Sequence, residues 1–437
     1  MKLLFIENRY KTFFFDVIAS QLSQKGYEIH FIIQNKEFLP KGNFTNHIIK
    51  YPSSINYTFN TDPEVEGVIK SDRQLNHFNK KDVSYFYYYN DRISEIIDRV
   101  NPNLVFGEST AFHELLTINN CRQRNILYLN PSTCRYPVGR FSFYKYDTLE
   151  PFKGSEELLK NKEAQKIIEQ IVYRKSMPDY MKSVPISKNQ KVKDQFKKVY
   201  AYINGERFNT PNPIVKYKIE KQKEMNITKW DAFAKDSIDK ESNKFKILYP
   251  LQMQPEANID VWGKKYRNQS ELIKTIAKNI PKDTVLYVKP NPKSKYELSK
   301  DLFNVLSNSS NIIALKHATK MDEVLPFIDL VITVTGTIAI ECVLSNKPVI
   351  NLVRTINHKA KNCTYIETVK ENLINEIDKV KQNIFPKLNE QEKINFINVL
   401  NSTSYKGVIS DPYSDANCLN EENIKALEEA FMDVFKN

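Results

Sequence analysis

Short apolar runs alternate with amphipathic stretches along most of the chain. Lys2–Glu7 is such a run, Lys11–Lys25 repeats large apolar side chains at helical spacing, and after Gly26 a second apolar run covers Glu28–Ile33. Buried parallel strands read as nearly continuous apolar runs, and glycine commonly follows the last turn of a helix. The chain therefore begins with a predicted strand, helix and strand, the βαβ unit of a parallel sheet.

The same alternation continues to about residue 150. The polar residues 52–81 interrupt it and predict a long loop. The other elements predicted in this part are strands near His47–Tyr51 and at Asn103–Phe106 and Asn125–Leu129, with helices at Asp82–Val100 and Ala111–Asn120. The five consecutive aromatic residues 85–89 fit either a stacking platform for a sugar or a buried helix face, and the buried face is favoured.

A second parallel α/β pattern begins near residue 244. Its predicted strands are Phe245–Leu251, Thr284–Val288, Asn311–Leu315, Leu330–Val334 and Pro348–Leu352, with helices at Gln269–Asn279, Tyr296–Ser307, Met321–Phe327 and after Thr337. Between the two patterns, residues 150–243 are polar, rich in lysine and helical. The tail, Ile366–Asn437, is again mostly helical.

A chain of 437 residues is long for a single core, so we expect two domains. The predicted fold class is α/β, with two Rossmann-like domains facing a cleft and a helical insertion or connector. The predicted boundaries are 1–150 for the N-terminal domain, 151–243 for the connector, 244–365 for the C-terminal domain and 366–437 for the terminal helices. Packing of these terminal helices on the N-terminal domain is one possible arrangement.

The segment Leu330–Glu341 is the main candidate for a binding site. Its apolar run ends in Thr335, Gly336 and Thr337 and passes directly into a helical pattern. At such a junction free backbone N–H groups and the helix dipole favour an anion, and the threonines add hydroxyl donors. Glu341 follows about one helical turn later, within reach of a ribose hydroxyl of the same ligand. An ordinary strand, turn and helix without a ligand is the alternative.

The first domain supplies further candidates. Glu108 follows a strand and precedes a helix, where α/β folds bind ligands, so it is a candidate catalytic base. The alternative interpretation is that Glu108 is only a negative charge at a helix N-terminus, where it complements the helix dipole. Arg135 and Arg140 flank a proline and a glycine in a loop stiff enough to present two guanidinium groups to a carboxylate or phosphate. Ordinary surface arginines are the alternative there.

The charge is unevenly distributed. The net charge is +12, and residues 182–223 contain ten Lys and one Arg against three acidic residues. A solvated helical face is the simplest interpretation of this basic segment, and an anionic membrane surface is the next. We expect no nucleic-acid partner, because no recognisable nucleic-acid module accompanies the charge.

Several patterns are missing from the sequence. It has no G-x-G-x-x-G or P-loop motif, no run of eighteen apolar residues and no signal-peptide pattern, and its five scattered cysteines form no C-x-x-C pair. These features count against a dinucleotide fingerprint, a P-loop kinase, a membrane span and a zinc site. They predict a cytoplasmic protein with reduced thiols.

Three loops should meet at the carboxyl edge of the second sheet. The candidate donor-binding residues on them are Gln254 and Glu256 in the first loop, Lys289 and Asn291 in the second, and Thr335, Gly336 and Thr337 in the third. Together these residues offer a cation, a carboxylate, amides and hydroxyls around an anion site.

The motifs on these loops follow a recognisable order. They are PLQMQPEA at Pro250–Ala257, VWG at Val261–Gly263, Ile280-Pro281, LYVK at Leu286–Lys289, Pro292 and VTGTIAIE at Val334–Glu341. In this order and spacing they resemble the capsule and surface-polysaccharide biosynthesis family, which includes the capsular Kdo transferases. The likeness covers most of 250–341 and extends more loosely to Gly107-Glu108 and Arg135–Phe141.

The resemblance implies a GT-B glycosyltransferase that moves an activated sugar to a saccharide or lipid-linked acceptor. The donor is commonly a CMP-linked ulosonic acid, such as Kdo or a sialic-acid-like nonulosonate, and no metal or other cofactor is expected. Residues 1–150 would bind the acceptor and 244–365 the nucleotide-sugar. By this likeness Glu108 lies at the acceptor or anomeric centre, Thr335 and Thr337 hold the phosphate, Glu341 holds the ribose, and the ulosonate carboxylate gives Arg135 or Arg140 a partner.

One motif departs from the family, which usually carries His-Pro where this chain has Asn291-Pro292. Asn can donate a hydrogen bond to phosphate but cannot act as a general acid near pH 7. His317 and His358 in neighbouring loops are candidate substitutes, although ordinary histidines explain them more simply. Two other functions stay open: a teichoic-acid-type polyol-phosphate transferase with a CDP-linked donor, and a non-catalytic capsule assembly protein. The expected location is cytoplasmic, with a peripheral place on the inner face of the membrane as a further possibility.

Overall fold

The structure is a computed structural model, and it describes residues 1–52, 57–175 and 185–435. In these ranges the strands are β1 Lys2–Ile6, β2 Glu28–Ile33, β3 Thr45–Ile48, β4 Leu104–Phe106, β5 Leu127–Thr133, β6 Arg140–Lys145, β7 Phe245–Pro250, β8 Thr284–Lys289, β9 Ile312–Ala314, β10 Leu330–Thr333, β11 Val349–Asn351, β12 Cys363–Tyr365 and β13 Tyr405–Lys406.

The same ranges contain sixteen α-helices. They are α1 Lys11–Gln24, α2 Pro63–Ser71, α3 Arg73–His77, α4 Ser84–Val100, α5 Phe112–Gln123, α6 Asn161–Val172, α7 Lys188–Ile203, α8 Pro213–Phe233, α9 Ala257–Asp260, α10 Gln269–Lys278, α11 Lys300–Ser307, α12 Met321–Val324, α13 Ile338–Ser345, α14 Val369–Lys381, α15 Glu390–Ser402 and α16 Glu421–Asp433. The helix α1 ends at Gln24, one residue before the predicted end. Gly26 after it has a φ of +86°, a left-handed value that favours glycine.

Two sheets organise these elements. The first has the strand order β13-β6-β5-β4-β1-β2-β3, in which β1 to β5 are parallel while β6 and β13 are antiparallel additions at one edge. The second has the order β12-β11-β10-β7-β8-β9 and is entirely parallel. The second sheet has the doubly wound order in which a chain starts centrally, builds one side and then crosses to the other. The prediction of two Rossmann-like α/β domains is confirmed.

Contacts divide the chain into two units. The described residues of 1–160, 176–216 and 398–437 form the N-terminal unit, and residues 161–175 and 217–397 form the second unit. The core of the N-terminal unit is aromatic: the Phe5 ring stacks on Phe31 at 5.2 Å and on Phe106 at 5.3 Å between centroids. In the second unit Trp230 is fully buried, and its Nε1 donates a hydrogen bond of 2.8 Å to the carbonyl of Leu315.

The predicted loop at residues 52–81 is wrong over much of its length, because α2 and α3 occupy residues 63–77. Asp62 caps α2 by accepting a 2.8 Å hydrogen bond from the N–H of Glu64. The predicted loop that carries Arg135 and Arg140 is also shorter than expected. Strand β5 continues to Thr133 and pairs with β6, a strand that the sequence analysis missed. The aromatic residues 85–89 lie in the first turns of α4, and four of them, Tyr85, Phe86, Tyr87 and Tyr89, are buried.

Two further observations concern the whole chain. All five cysteines are buried and form no disulfide. Across the three described ranges, we find no helix with the length and apolar content needed to cross a membrane. Of the predicted connector and its basic segment, residues 176–184 lie outside the described residues.

Candidate functional site

Both sheets reverse their strand order at one point, and the loops at such points bind ligands in open α/β folds. In the second unit this point lies between the paired strands β7 and β10. The Nε2 of Gln252, after β7, lies 3.4 Å from the hydroxyl of Thr333, which also accepts a 3.1 Å hydrogen bond from the N–H of Gly336. These contacts join two of the three predicted donor-binding loops.

Gly336 is required by this close approach. A Cβ at position 336 would come within 2.5 Å of the Thr333 hydroxyl and 3.2 Å of Gln252 Nε2. Beside it, Thr335 is buried and its hydroxyl donates a 3.0 Å hydrogen bond to the carbonyl of Asn258. Gly336 and Thr337 are partly exposed at the start of α13. The Gly336 N–H and the Thr335 hydroxyl therefore hold the loop together, and the partly exposed Thr337 at the start of α13 is the part of the loop that an anion can approach.

Gln254 and Glu256 differ in exposure. Gln254 is buried, and its Nε2 donates hydrogen bonds to Asp260 Oδ1 at 2.8 Å and to the carbonyl of Arg267 at 3.0 Å. Glu256 is partly exposed, and its carboxylate contacts the ammonium of Lys295 at 3.2 Å. Gln254 thus shapes its loop, whereas Glu256 borders solvent.

Lys289 ends β8 as a buried cation. Its ammonium contacts the carbonyls of Pro290 at 3.3 Å and of His317 at 3.4 Å. These contacts are longer than ordinary charge-assisted hydrogen bonds, which measure about 2.7–2.9 Å. Burial lowers the pKa of Lys289, although the charge of Asp231 opposes that effect. An anion at this edge would therefore give Lys289 a stronger partner than its present ones.

His317 connects the lysine loop to α8. Its Nδ1 lies 2.8 Å from Asp231 Oδ1, and its Nε2 lies 3.0 Å from the hydroxyl of Ser294. Burial raises the pKa of Asp231, but hydrogen bonds from the backbone and ring of His317 outweigh burial and lower it overall. The ionised Asp231 accepts a hydrogen bond from the Nδ1–H of His317 and so orients the ring. The Ser294 hydroxyl also contacts the carbonyl of Asn291 at 3.0 Å, so this chain of bonds orders the Asn291 loop.

Glu341 already has a partner in the structure. Its carboxylate accepts a 2.6 Å hydrogen bond from Arg174, whose other terminal nitrogen lies 2.8 Å from Asp322. Burial raises the pKa of Glu341, and the arginine opposes that effect. A ribose hydroxyl would have to share this carboxylate with Arg174.

The N-terminal unit has its own switch point, between the paired strands β1 and β4. Glu108 follows β4 there and is held from two directions. Lys11 forms an ion pair with its Oε1, and Asn8 Nδ2 donates a 2.9 Å hydrogen bond to its Oε2. The hydroxyl of Tyr128 donates a 2.6 Å hydrogen bond to its backbone carbonyl. The carboxylate of Glu108 is thus ordered and partly exposed at the edge predicted for it.

A second carboxyl group lies behind Glu108. Glu114 is fully buried, and it accepts hydrogen bonds of 2.8 Å from Asn8 Nδ2 and 2.8 Å from the N–H of Ala111. Burial, together with the charge of Glu108, raises the pKa of Glu114 to about 7. Asn8 therefore bridges one partly exposed carboxylate and one buried carboxyl group that holds its proton up to about pH 7.

A pocket of about 470 Å³ opens beside Glu108. It is lined by charged side chains of both signs, including Arg9, Lys11, Asp194 and Lys198. One wall is aromatic, because the rings of Tyr10 and Tyr413 stack with their centroids 4.5 Å apart. Such a mixture of charge and an aromatic wall suits a polar, hydroxyl-rich ligand.

The two candidate arginines differ. The Arg140 guanidinium is buried and donates hydrogen bonds to the carbonyls of Ser404 and Asn401 at 2.7 and 2.9 Å, and to the Ser155 hydroxyl at 2.8 Å. These bonds favour a structural role for Arg140. Arg135 is partly exposed.

Four neighbours of the candidate residues were missed by the sequence analysis: Asn8, Lys11, Glu114 and Arg174. The loop after β1 could have been found, because the rule that selected Glu108 applies equally to the end of the first strand. Arg174 had no such signal, since it follows α6 and lies 167 positions before Glu341.

Comparison with known proteins gives one family. Residues 146–359 match the model of the family described as capsule polysaccharide biosynthesis protein, which confirms the resemblance carried by the motifs. No curated protein matches the chain significantly.

Solved structures are similar only at low identity. The beta Kdo 2,7 transferase KpsC of Thermosulfurimonas dismutans is 12% identical over 79% of this chain and 90% of its own, with a TM-score of 0.36. The UDP-GlcNAc 2-epimerase of Methanocaldococcus jannaschii, in complex with UDP-GlcNAc and UDP, is 15% identical over 92% of this chain and 99% of its own, with a TM-score of 0.28. MurG of Acinetobacter baumannii is 9% identical over 99% of this chain and 100% of its own, with a TM-score of 0.27. Similarity of this degree carries no argument about activity.

Proposed function

We propose that this chain, which matches the capsule polysaccharide biosynthesis family over residues 146–359, is a glycosyltransferase of bacterial-type surface polysaccharide biosynthesis. The observation that carries the proposal is the ordered carboxylate of Glu108, which stands at a switch point beside a polar pocket. A transferase needs such a group to take the proton of an acceptor hydroxyl. The chain as a whole would have the two-domain GT-B organisation.

We further propose a CMP-activated ulosonic acid, Kdo or a sialic-acid-like nonulosonate, as the donor. A CMP donor carries one phosphate, and the cation of Lys289 with the partly exposed start of α13 at Thr337 supports binding of one anionic group. The donor's carboxylate would need its own cation, for which Arg135 and Arg140 are the candidates; the partly exposed Arg135 is the more accessible of the two. We expect neither a metal nor another cofactor.

In the proposed reaction, Glu108 accepts the proton of the acceptor hydroxyl while the new glycosidic bond forms. The bond between the anomeric carbon and the phosphate oxygen breaks, and CMP leaves with the bonding electron pair. Charge on the leaving phosphate is stabilised by Lys289 and the N–H groups at the start of α13. A carboxylate offers about four acceptor positions, so Glu108 can keep its contacts with Lys11 and Asn8 and still accept the substrate proton.

The variant Glu108→Gln tests this role. It keeps the shape and one acceptor oxygen but cannot take a proton, so we expect transfer to fall by about 10²- to 10⁴-fold. Stabilisation of the folded protein by CMP should stay near that of the wild type, because the nucleotide would bind the second unit. A variant that transfers sugar at the normal rate would refute the assignment.

The donor is tested by measuring transfer with CMP-Kdo, a CMP-sialic-type donor and CDP-glycerol. Turnover with CDP-glycerol alone would instead support the polyol-phosphate transferase. A protein that no cytidine or uridine nucleotide stabilises would support a non-catalytic assembly role.

The location that goes with a lipid-linked acceptor is the cytoplasmic face of the membrane, where the basic segment 182–223 would meet anionic lipid.

A further inference from the structure

The helix α7 carries an exposed apolar stripe. Val192, Phe196, Val199 and Ile203 are 49, 72, 39 and 69% exposed. They follow one another at intervals of four, three and four residues, so they lie on one face of the helix. Contiguous apolar side chains of this size on a surface mark a site of interaction.

The opposite face of α7 packs on the N-terminal unit through polar and small residues. Asp194 and Ala201 are buried, and Asp194 forms an ion pair of 2.5 Å with Lys198. An ordinary surface helix shows the reverse arrangement, with its apolar stripe towards the core. Packing within the N-terminal unit therefore does not account for the stripe.

The exposed charge around the stripe is positive. Lys188, Lys191 and Lys193 are exposed on α7. The acidic residues of the described positions 185–216 are Asp194 and Glu206, and both are buried. An apolar stripe bordered by lysines matches a surface that is apolar inside and anionic at its boundary.

We propose that α7 lies in the interface of a lipid bilayer that contains anionic lipids. Phe196 and Ile203 enter the apolar boundary, and the lysines contact the lipid headgroups. Asp194 and Lys198, on the opposite face, line the pocket beside Glu108. A helix with its side chains is about 10–12 Å across, so a saccharide attached to a membrane lipid needs to rise only about that far to reach the pocket.

Vesicle co-sedimentation with the full chain tests the proposal without any donor or acceptor. The wild type should bind vesicles of phosphatidylcholine mixed with phosphatidylglycerol and should bind vesicles of phosphatidylcholine alone far more weakly. The double variant Phe196→Ala, Ile203→Ala should lose about tenfold in partitioning. Replacing Lys188, Lys191 and Lys193 by Gln should cost about 100-fold at low salt and much less at high salt.

Matched controls come from exposed side chains elsewhere. Leu158 and Ile384 are 70% and 64% exposed, so their double alanine variant controls for loss of surface apolar area. Lys264, Lys278 and Lys282 are exposed in the second unit and control for loss of charge. Both control variants should bind like the wild type.

Two results would overturn the proposal. One is that the stripe variant and the wild type bind anionic vesicles equally well. The other is that the wild type binds no vesicles but forms dimers which the stripe variant abolishes, since the occupant would then be a second copy. Because these measurements need no turnover, failure of the transferase proposal leaves their outcome unchanged, and the reverse also holds.

Discussion

Replacing Glu114 by Gln should change how the stability of the N-terminal unit depends on pH. The buried carboxyl group has a pKa of about 7 in the folded protein, against 4.5 as its ordinary value. Between these two values the folded protein holds a proton that the unfolded chain has released. Stability therefore falls as the pH rises, because the folded state binds more protons.

The magnitude follows from the two values. The stabilising effect of the proton on Glu114 is fully present below pH 4.5 and is lost as the pH passes through about 7. The difference between these two pKa values corresponds to about 3 kcal/mol of stability, and most of this stability is lost between about pH 5 and pH 8. Gln cannot ionise, so the variant should escape this loss. Any fixed cost of placing an amide among the N–H donors of residues 110 and 111 is the same at each pH and cancels.

The assay is urea unfolding at several pH values, followed by pulsed hydrogen exchange in peptides from α5. The free energy of unfolding of Glu114→Gln, relative to the wild type, should rise by about 2–3 kcal/mol from about pH 5 to pH 8. Glu422→Gln, at an exposed position, should show no such change. A pH-independent difference for Glu114→Gln would mean that Glu114 is ionised throughout, and the reasoning would be wrong. Glu108→Gln should weaken the pH dependence, because the neighbouring charge that raises this pKa is removed.

Two further predictions concern packing. Gly336→Ala should weaken the affinity for CMP at least about tenfold, because the new Cβ would meet the Thr333 hydroxyl and displace the loop at 336–337. The thermal shift on adding CMP measures this affinity. Gly67→Ala is the matched control, because a Cβ there meets nothing within 4 Å. Arg140→Ala should destabilise the N-terminal unit by about 2–6 kcal/mol, because the buried carbonyls of Ser404 and Asn401 lose their hydrogen-bond donor at about 1–3 kcal/mol each. Urea unfolding measures the loss, and Arg122→Ala, which breaks a more exposed ion pair with Asp147, should cost less than about 1 kcal/mol.

Much of the fold could be predicted because its signal is local. A run such as Leu330–Thr333 is apolar, β-branched and completely buried, and its strand appears where the pattern placed it. The error at residues 52–81 arose because α2 buries little apolar surface, chiefly Val65 and Val68. The sequence does contain the N-terminal signal of a helix, because Asp62 is a favoured N-cap residue and Pro63 is favoured at the first helical position. The polar composition of the surrounding residues favoured a loop more strongly.

The candidate site was predictable only in part, for a different reason. The position of Glu108 at the end of a strand follows from local pattern and topology. The partners of Arg140 do not, because Ser404 lies 264 residues further along the chain. The ion pair between Arg174 and Glu341 spans 167 positions. Such contacts depend on how distant elements meet, and no spacing rule in the sequence reports them.

The edge strand β13 has a consequence for how the protein is made. It pairs with β6 in the first sheet, and Phe431 of α16 packs against Phe106 and Phe143, with ring centroids 4.9 and 4.8 Å apart. Residues 398–435 of the N-terminal unit therefore leave the ribosome only after the whole second unit has been made. Until β13 and α16 have been synthesised, the β6 edge of the first sheet is unpaired and its aromatic face at Phe106 and Phe143 is uncovered. In this state chaperone binding and aggregation compete with folding. A chain that stops early would remain in that state.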